Sequence, residues 1–228
     1  MTMAIPANNG NMRLVGETTM NGGTFGRITI IGESKLNGAT ECESFSCTGN
    51  SEVDGDLTAG KLKVIGELEI AGDLKARSVS VTGETRVKGG AQGDLLNVRG
   101  GEFAVGADCE FEEIKVYGAI RAGGLLSADR MELRLFGGSL ASEIGGGHIL
   151  IKMSKKLAIK KLFSLHDFGT IKVGTIEGDT IELEHTAADV VRGNRVTIGP
   201  GCEIGRVEYR GELKVSAKAK VGSQARVE

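Results

Sequence analysis

The side chains with the strongest claim to chemistry are Asp54, Asp56 and Asp73. Asp54 and Asp56 flank Gly55, and Asp73 follows Asp56 by seventeen residues. Clustered carboxylates of this kind can divide acid and base roles in cleaving a glycosidic bond. His148, His166 and His185 show no paired metal-ligand spacing, so surface or loop positions are expected for all three. Cys42, Cys47, Cys109 and Cys202 follow no ligand spacing either, and Cys47 alternates with Phe45 like an inward strand residue. Reduced core thiols are expected, with no disulfide framework and no zinc site. The stretches "GPGCEIG" and "GGGHI" are glycine-rich but lack the strand-then-helix context of a phosphate cradle. No catalytic residue, metal or cofactor is expected, and the chain reads as a non-enzyme.

One basic cluster, Lys152, Lys155, Lys156, Lys160 and Lys161, interleaves with apolar residues. It reads as a solvated face, with an acidic partner or anionic lipid headgroups as the functional alternative. Met1, Met3 and Ile5 make a small apolar tag. Residues 1–120 hold 11 Lys+Arg against 17 Asp+Glu, a balance of −6, and residues 121–228 hold 17 against 13, or +4. Neither half is basic enough to suggest nucleic acid. No apolar run approaches the ~20 residues that span a bilayer. "MTMAIPANNGNM" has no basic n-region, so a cytoplasmic protein is expected.

The elements that must position these residues follow from a repeat. Glycines fall at Gly16, Gly32, Gly49, Gly66, Gly83, Gly100 and Gly118, each followed six residues later by Gly22, Gly38, Gly55, Gly72, Gly89, Gly106 and Gly124. Alternating apolar pairs precede the first glycines, among them Phe45/Cys47, Leu62/Val64, Val79/Val81 and Leu96/Val98. The apolar period is two, which excludes helix. A seventeen-residue unit of two or three short strands, bent at glycines, cannot bury a core alone. Stacked on copies of itself it forms parallel ladders about 4.8 Å apart around one continuous interior. The expected fold is all-β, a right-handed triangular parallel β-helix (β-solenoid) of ~17 residues per turn. With 40% hydrophobic but only 4% aromatic residues and no Trp, its core is thin.

Stacking also predicts outward columns. Lys35, Glu52, Glu69 and Arg86 fall in one, with a cation at each end; Asp56 lies over Asp73 and Glu67 over Glu84. Residues 12–118 leave no length for the loops that would wall an enzyme's cleft around the Asp54 cluster. "IGPGCEIG" holds a single six-residue Ile-Gly step, where a hexapeptide-repeat coil needs many. Three segments are expected: a short tail over 1–11, the regular solenoid over 12–137, and a less regular β segment over 138–228 that continues the rod or packs beside it.

A solenoid ends in unpaired strand edges beside exposed core, a template for another chain. "NNGN", residues 8–11, is the only evident cap, and "VSAKAKVGSQARVE" stays strand-like. Such ends favour end-to-end assembly into filaments. The repeat "VIGELEIAGDLKARSVSVTGETRVKGG", and the two-glycine beat through residues 12–137, resemble the bactofilins, bacterial polymer-forming cytoskeletal proteins. The resemblance implies nucleotide-independent homopolymers that scaffold cell shape, polarity or motility machinery at the inner membrane. Partners would include other bactofilins and inner-membrane, motility or cell-wall proteins. It also implies longitudinal contacts through apolar residues of the terminal turns: Phe136 at one end, and Met12, Leu14 and Phe25 at the other. The alternative is a capped, non-polymerising solenoid that docks a partner through residues 138–228.

Overall fold

A computed structural model of the chain describes residues 10–153 and 169–228. Ten strands follow one another: β1 (Met12–Asp54), β2 (Leu57–Ile70), β3 (Leu74–Val87), β4 (Ala91–Val105), β5 (Cys109–Leu135), β6 (Ser139–Met153), β7 (Ile171–Leu183), β8 (Thr186–Ile198), β9 (Glu203–Val215) and β10 (Lys220–Arg226). Each pairs in parallel with the next in chain order. The result is a β-solenoid with ~17 residues per turn. β1 and β5 each run through more than one turn, so at the ladder spacing of about 4.8 Å the rod is roughly 55 Å long.

The burial pattern of β2 shows how one turn is built. Leu57/Ala59, Leu62/Val64 and Leu68/Ile70 point inward as three pairs, giving three short faces, here A, B and C in chain order. Each pair stacks on its counterparts. Cys47, Val64, Val81, Val98 and Val116 form one interior file, none more than 2% exposed. The expected short separate strands are joined instead. In β2 the strand runs round two corners, through Gly60 and Gly66, and breaks only at the third, between Ile70 and Leu74, where Ala71 and Gly72 still donate to Val53 O and Gly55 O of the turn below. Those two bends leave the backbone donors and acceptors aimed along the rod, so the ladder survives them.

The two glycine columns exist for different reasons. At the corner between faces B and C, Gly66 has φ +122° and Gly83 +119°. A Cβ on each would fall on the carbonyl oxygen of the glycine one turn below. Left-handed backbone and close approach both demand glycine here. The column passes through Gly101, not Gly100: Gly83 pairs with Gly101, and Gly100 is the extra residue of a register shift. At the third corner Gly22, Gly55 and Gly106 face backbone of a neighbouring turn, whereas three others leave room for a carboxylate. A Cβ on Gly72, Gly89 or Gly124 would collide with Oδ1 of Asp56, Asp73 or Asp108 respectively.

Residues 139–153 and 169–228 continue the same rod. β6 pairs directly with β7, Ser139 against Ile171 and Ile151 against Leu183, so stacking resumes across residues 154–168. The glycine beat fades because turn length changes. Ala122 pairs with Ala141, nineteen residues on, and Ile171 with Thr186, fifteen on. Gly178 and Gly193 stand against Gly146 and its successors, so a glycine column persists on face A without the old spacing.

Candidate functional surface

The carboxylates singled out by the sequence are parts of the scaffold. Asp56 Oδ1 accepts the Asp73 backbone N–H at 2.8 Å, Asp73 Oδ1 accepts that of Gly90 at 2.8 Å, and Asp108 Oδ1 that of Leu125 at 2.8 Å. Each aspartate satisfies a backbone donor of the next turn at this corner, beside the backbone bonds from Ala71 and Gly72 or their counterparts that cross it. Asp54 stands apart on the outer surface of face C. Among the described residues, no group of His, Cys, Asp or Glu is arranged to hold a metal ion.

Other candidates disperse as well. His148 lies exposed on face B between Arg130 and Thr180, and His185 sits at a corner with φ 49°. His166 lies outside the described residues. In "GPGCEIG", the amide of Gly199 donates to Leu183 O at 2.7 Å and that of Gly201 to Lys218 O at 3.1 Å. These amides serve neighbouring turns, so the segment is a corner and not an anion cradle. Of the basic cluster, Lys152 pairs with Glu182 at 3.3 Å across one turn; Lys155, Lys156, Lys160 and Lys161 lie outside the described residues, as do Met1, Met3 and Ile5.

All four cysteines are buried and free. Burial pushes the Cys42 and Cys109 thiols from an ordinary 9.0 up to about 12 and that of Cys47 to about 11, and raises Cys202 too. Unfolded thiols ionise near 9.0, so this contribution to stability is whole below that pH and is lost as pH climbs through about 11 to 12. A thiol reagent at pH 8 is expected to label none of the four in the folded protein and all four in denaturant. Rapid native labelling of any one would contradict the buried placement.

The apolar residues expected at the ends divide. Met12, Leu14 and Phe25 do belong to the first turns, with Leu14 8% exposed and Met12 and Phe25 packed part-buried against the core. Phe136 does not lie at an end. It follows β5, its amide donates to Gly118 O, its ring packs edge-on to Tyr117 at 5.4 Å, and β6 to β10 stack beyond it. The last described turns are those of β9 and β10. There Tyr209, Leu213, Ala219 and Val221 are only partly covered, and Val215 and Val227 are exposed at 43% and 39%. The outer edge of β10 pairs with nothing among the described residues.

The faces carry opposite charge through the first turns. Glu17, Glu33, Glu52, Glu67, Glu69 and Glu84 line one shallow strip of face C, with only Lys35 and Arg86 among them. Glu52 pairs with Lys35 at 2.9 Å as the column predicts, but Arg86 turns to Glu84 within its own strand and Lys88 takes Glu69 at 2.7 Å. Lys88 therefore holds the Glu69 carboxyl below its ordinary value. Face B is the reverse: Arg13, Arg27, Lys61, Lys63 and Arg99 project from its first six turns, and no carboxylate does. Sorting outward residues by face, rather than by column on one face, would have found this segregation in the sequence.

Two proteins of Bacillus subtilis (strain 168) are similar to part of the chain. Uncharacterized protein YhbE is 38% identical over 108 residues, 47% of this chain and 45% of its own length. Uncharacterized protein YhbF is 34% identical over 105 residues, 46% of this chain and 42% of its own. The chain thus spans less than half the length of these curated relatives. No protein-family model matches the chain, and no solved structure does.

Proposed function

We propose that this chain is a non-enzymatic, self-assembling scaffold whose copies stack end to end into filaments without nucleotide, as the resemblance to bactofilins implies. The observation that carries the reading is the last turn. An unpaired strand edge on β10 borders half-covered core residues, so a further turn supplied by another copy would complete both the ladder and the interior. The rest of the rod supports a mechanical role. Its interior is filled by packed apolar files, and its most suggestive polar groups serve the backbone. Among the described residues no helix is long and apolar enough to cross a membrane. Recruitment to an inner-membrane, motility or cell-wall complex would then act through the surface of the polymer.

Electron microscopy of purified protein without nucleotide tests the reading. Filaments are expected in both low and high salt, since the contact is apolar and hydrogen-bonded. Val221→Asp with Val227→Asp is expected to abolish them while the β-type circular dichroism persists. A wild-type monomer or dimer at tens of micromolar would instead favour a capped module that docks a partner through residues 138–228.

A further inference from the structure

We infer that the rod has a second contact along its side, in which face B of one copy receives face C of another. Both surfaces occupy the first six turns. On face B, Arg13, Arg27, Lys61, Lys63 and Arg99 form no ion pair among the described residues, and Val15, Ile31 and Ile65 stand in one column, 63%, 42% and 42% exposed. These are three of the six large apolar residues most exposed among the described residues, so the patch joins free cations to uncovered apolar surface. On one rim the carboxylates Glu43 and Asp94 share their corner column with Arg77, and across the other corner Glu17, Glu33 and Glu67 follow Val15, Ile31 and Ile65 by two residues and point from face C. On face C, Glu17, Glu33 and Glu67 likewise have no cationic partner among the described residues.

Spacing matches as well as sign. Arg27 and Lys61 lie two turns apart on face B, in register through Ser44, and Glu33 and Glu67 lie two turns apart on face C, through Asn50. Arg13 and Lys63 are three turns apart, as are Glu17 and Glu67. Both ladders rise by about 4.8 Å per turn, so two rods lying side by side bring cation and carboxylate rows into step. Every outward column of the rod shares this rise, so the match lies in which turns carry charge and of which sign. The contact is heterologous, B against C, so a pair leaves one B and one C face open to further copies.

The area sets its strength. Six turns by three outward residues give roughly 550 Å² per copy from the strand spacings. That is below the ~800 Å² per partner of a stable complex. A weak contact screened by salt is therefore expected, growing as copies are aligned along a common axis.

The side contact is independent of end-to-end stacking, and the Val221→Asp/Val227→Asp protein, built to block the ends, is the background in which to read it. Sedimentation velocity in low salt is expected to show reversible association that disappears at about 0.5 M salt, where the Debye length falls to a few ångström. Lys61→Glu/Lys63→Glu is expected to weaken it about tenfold or more, as is Glu33→Lys/Glu67→Lys, by turning attraction into repulsion. Mixing the two charge-reversed proteins is expected to restore association, which a folding defect would not do; Lys75→Glu/Lys115→Glu, of the same net charge but away from the first six turns of face B, is expected not to associate with the Glu33→Lys/Glu67→Lys protein and so controls for net charge. Association unchanged by Lys61→Glu/Lys63→Glu, or a mixture that stays apart, overturns the proposal. So does vesicle binding (phosphatidylglycerol with phosphatidylethanolamine) lost on Lys61→Glu/Lys63→Glu without any self-association, because face B would then be a lipid-binding surface.

Discussion

Replacing Gly101 by alanine is expected to disrupt the middle of the rod, while the same change at Gly100, one residue earlier, is expected to be mild. Both glycines have positive φ, +92° and +100°. Both therefore incur the cost of a left-handed alanine, about 1–3 kcal/mol. They differ in what surrounds the new methyl group. At Gly100 nothing lies within 4 Å, whereas at Gly101 the Cβ would fall on the carbonyl oxygen of Gly83. That oxygen is backbone of the turn below and cannot swing aside as a side chain could. Accommodating the methyl means prising β4 from β3 at the corner, so the loss is expected to exceed about 4 kcal/mol. Denaturant midpoints of the two single variants, with Gly83→Ala as a second severe case, provide the comparison. Equal losses at 100 and 101 would mean that the extra residue of β4 has been placed on the wrong glycine.

Val81→Asp is the second large effect. Val81 is fully buried between Val64 and Val98, and the file continues through Cys47 and Val116. An ionised carboxylate there has only aliphatic neighbours along the file, and an unpaired buried charge costs roughly 3–5 kcal/mol. Val81→Ala, which removes two carbons, should cost about 1.5 kcal/mol by the value of a buried methylene. The distribution of damage is more telling than its size. Each turn touches only its two neighbours, so stability is close to a sum of local and nearest-neighbour contributions. Hydrogen exchange is expected to show lost protection in β2, β3 and β4, with β7, β8 and β9 still protected. Uniform loss along the rod would show that the turns are coupled far more globally than a stack should be.

The same nearest-neighbour logic explains what was legible beforehand. Alternation around Leu62/Val64 and Val79/Val81 determined the strands, and the recurrence of glycine at 49, 66 and 83 determined their register, because in a stack sequence distance translates directly into height. The Asp56-over-Asp73 column was legible for that reason too. Its role was not: only coordinates show the Asp56 carboxylate accepting the Asp73 amide, and filling the space a Cβ of Gly72 would need. A glycine that frees a dihedral and a glycine that makes room for a neighbour look alike in a sequence.

By itself, then, the sequence determined a parallel coil with a dry interior file and a period near seventeen. Tertiary structure decided the rest. It chose Gly101 over Gly100, carried the rod on through β6 to β10 where turns of nineteen and fifteen residues hide the beat, and moved Phe136 from a presumed end to the interior of the stack. The physical reason is that periodicity constrains residues only while each turn has the same length. Once a residue is inserted or lost, pairing is settled by which side chains fill the core and which backbone groups meet across the gap, and those are facts of three dimensions.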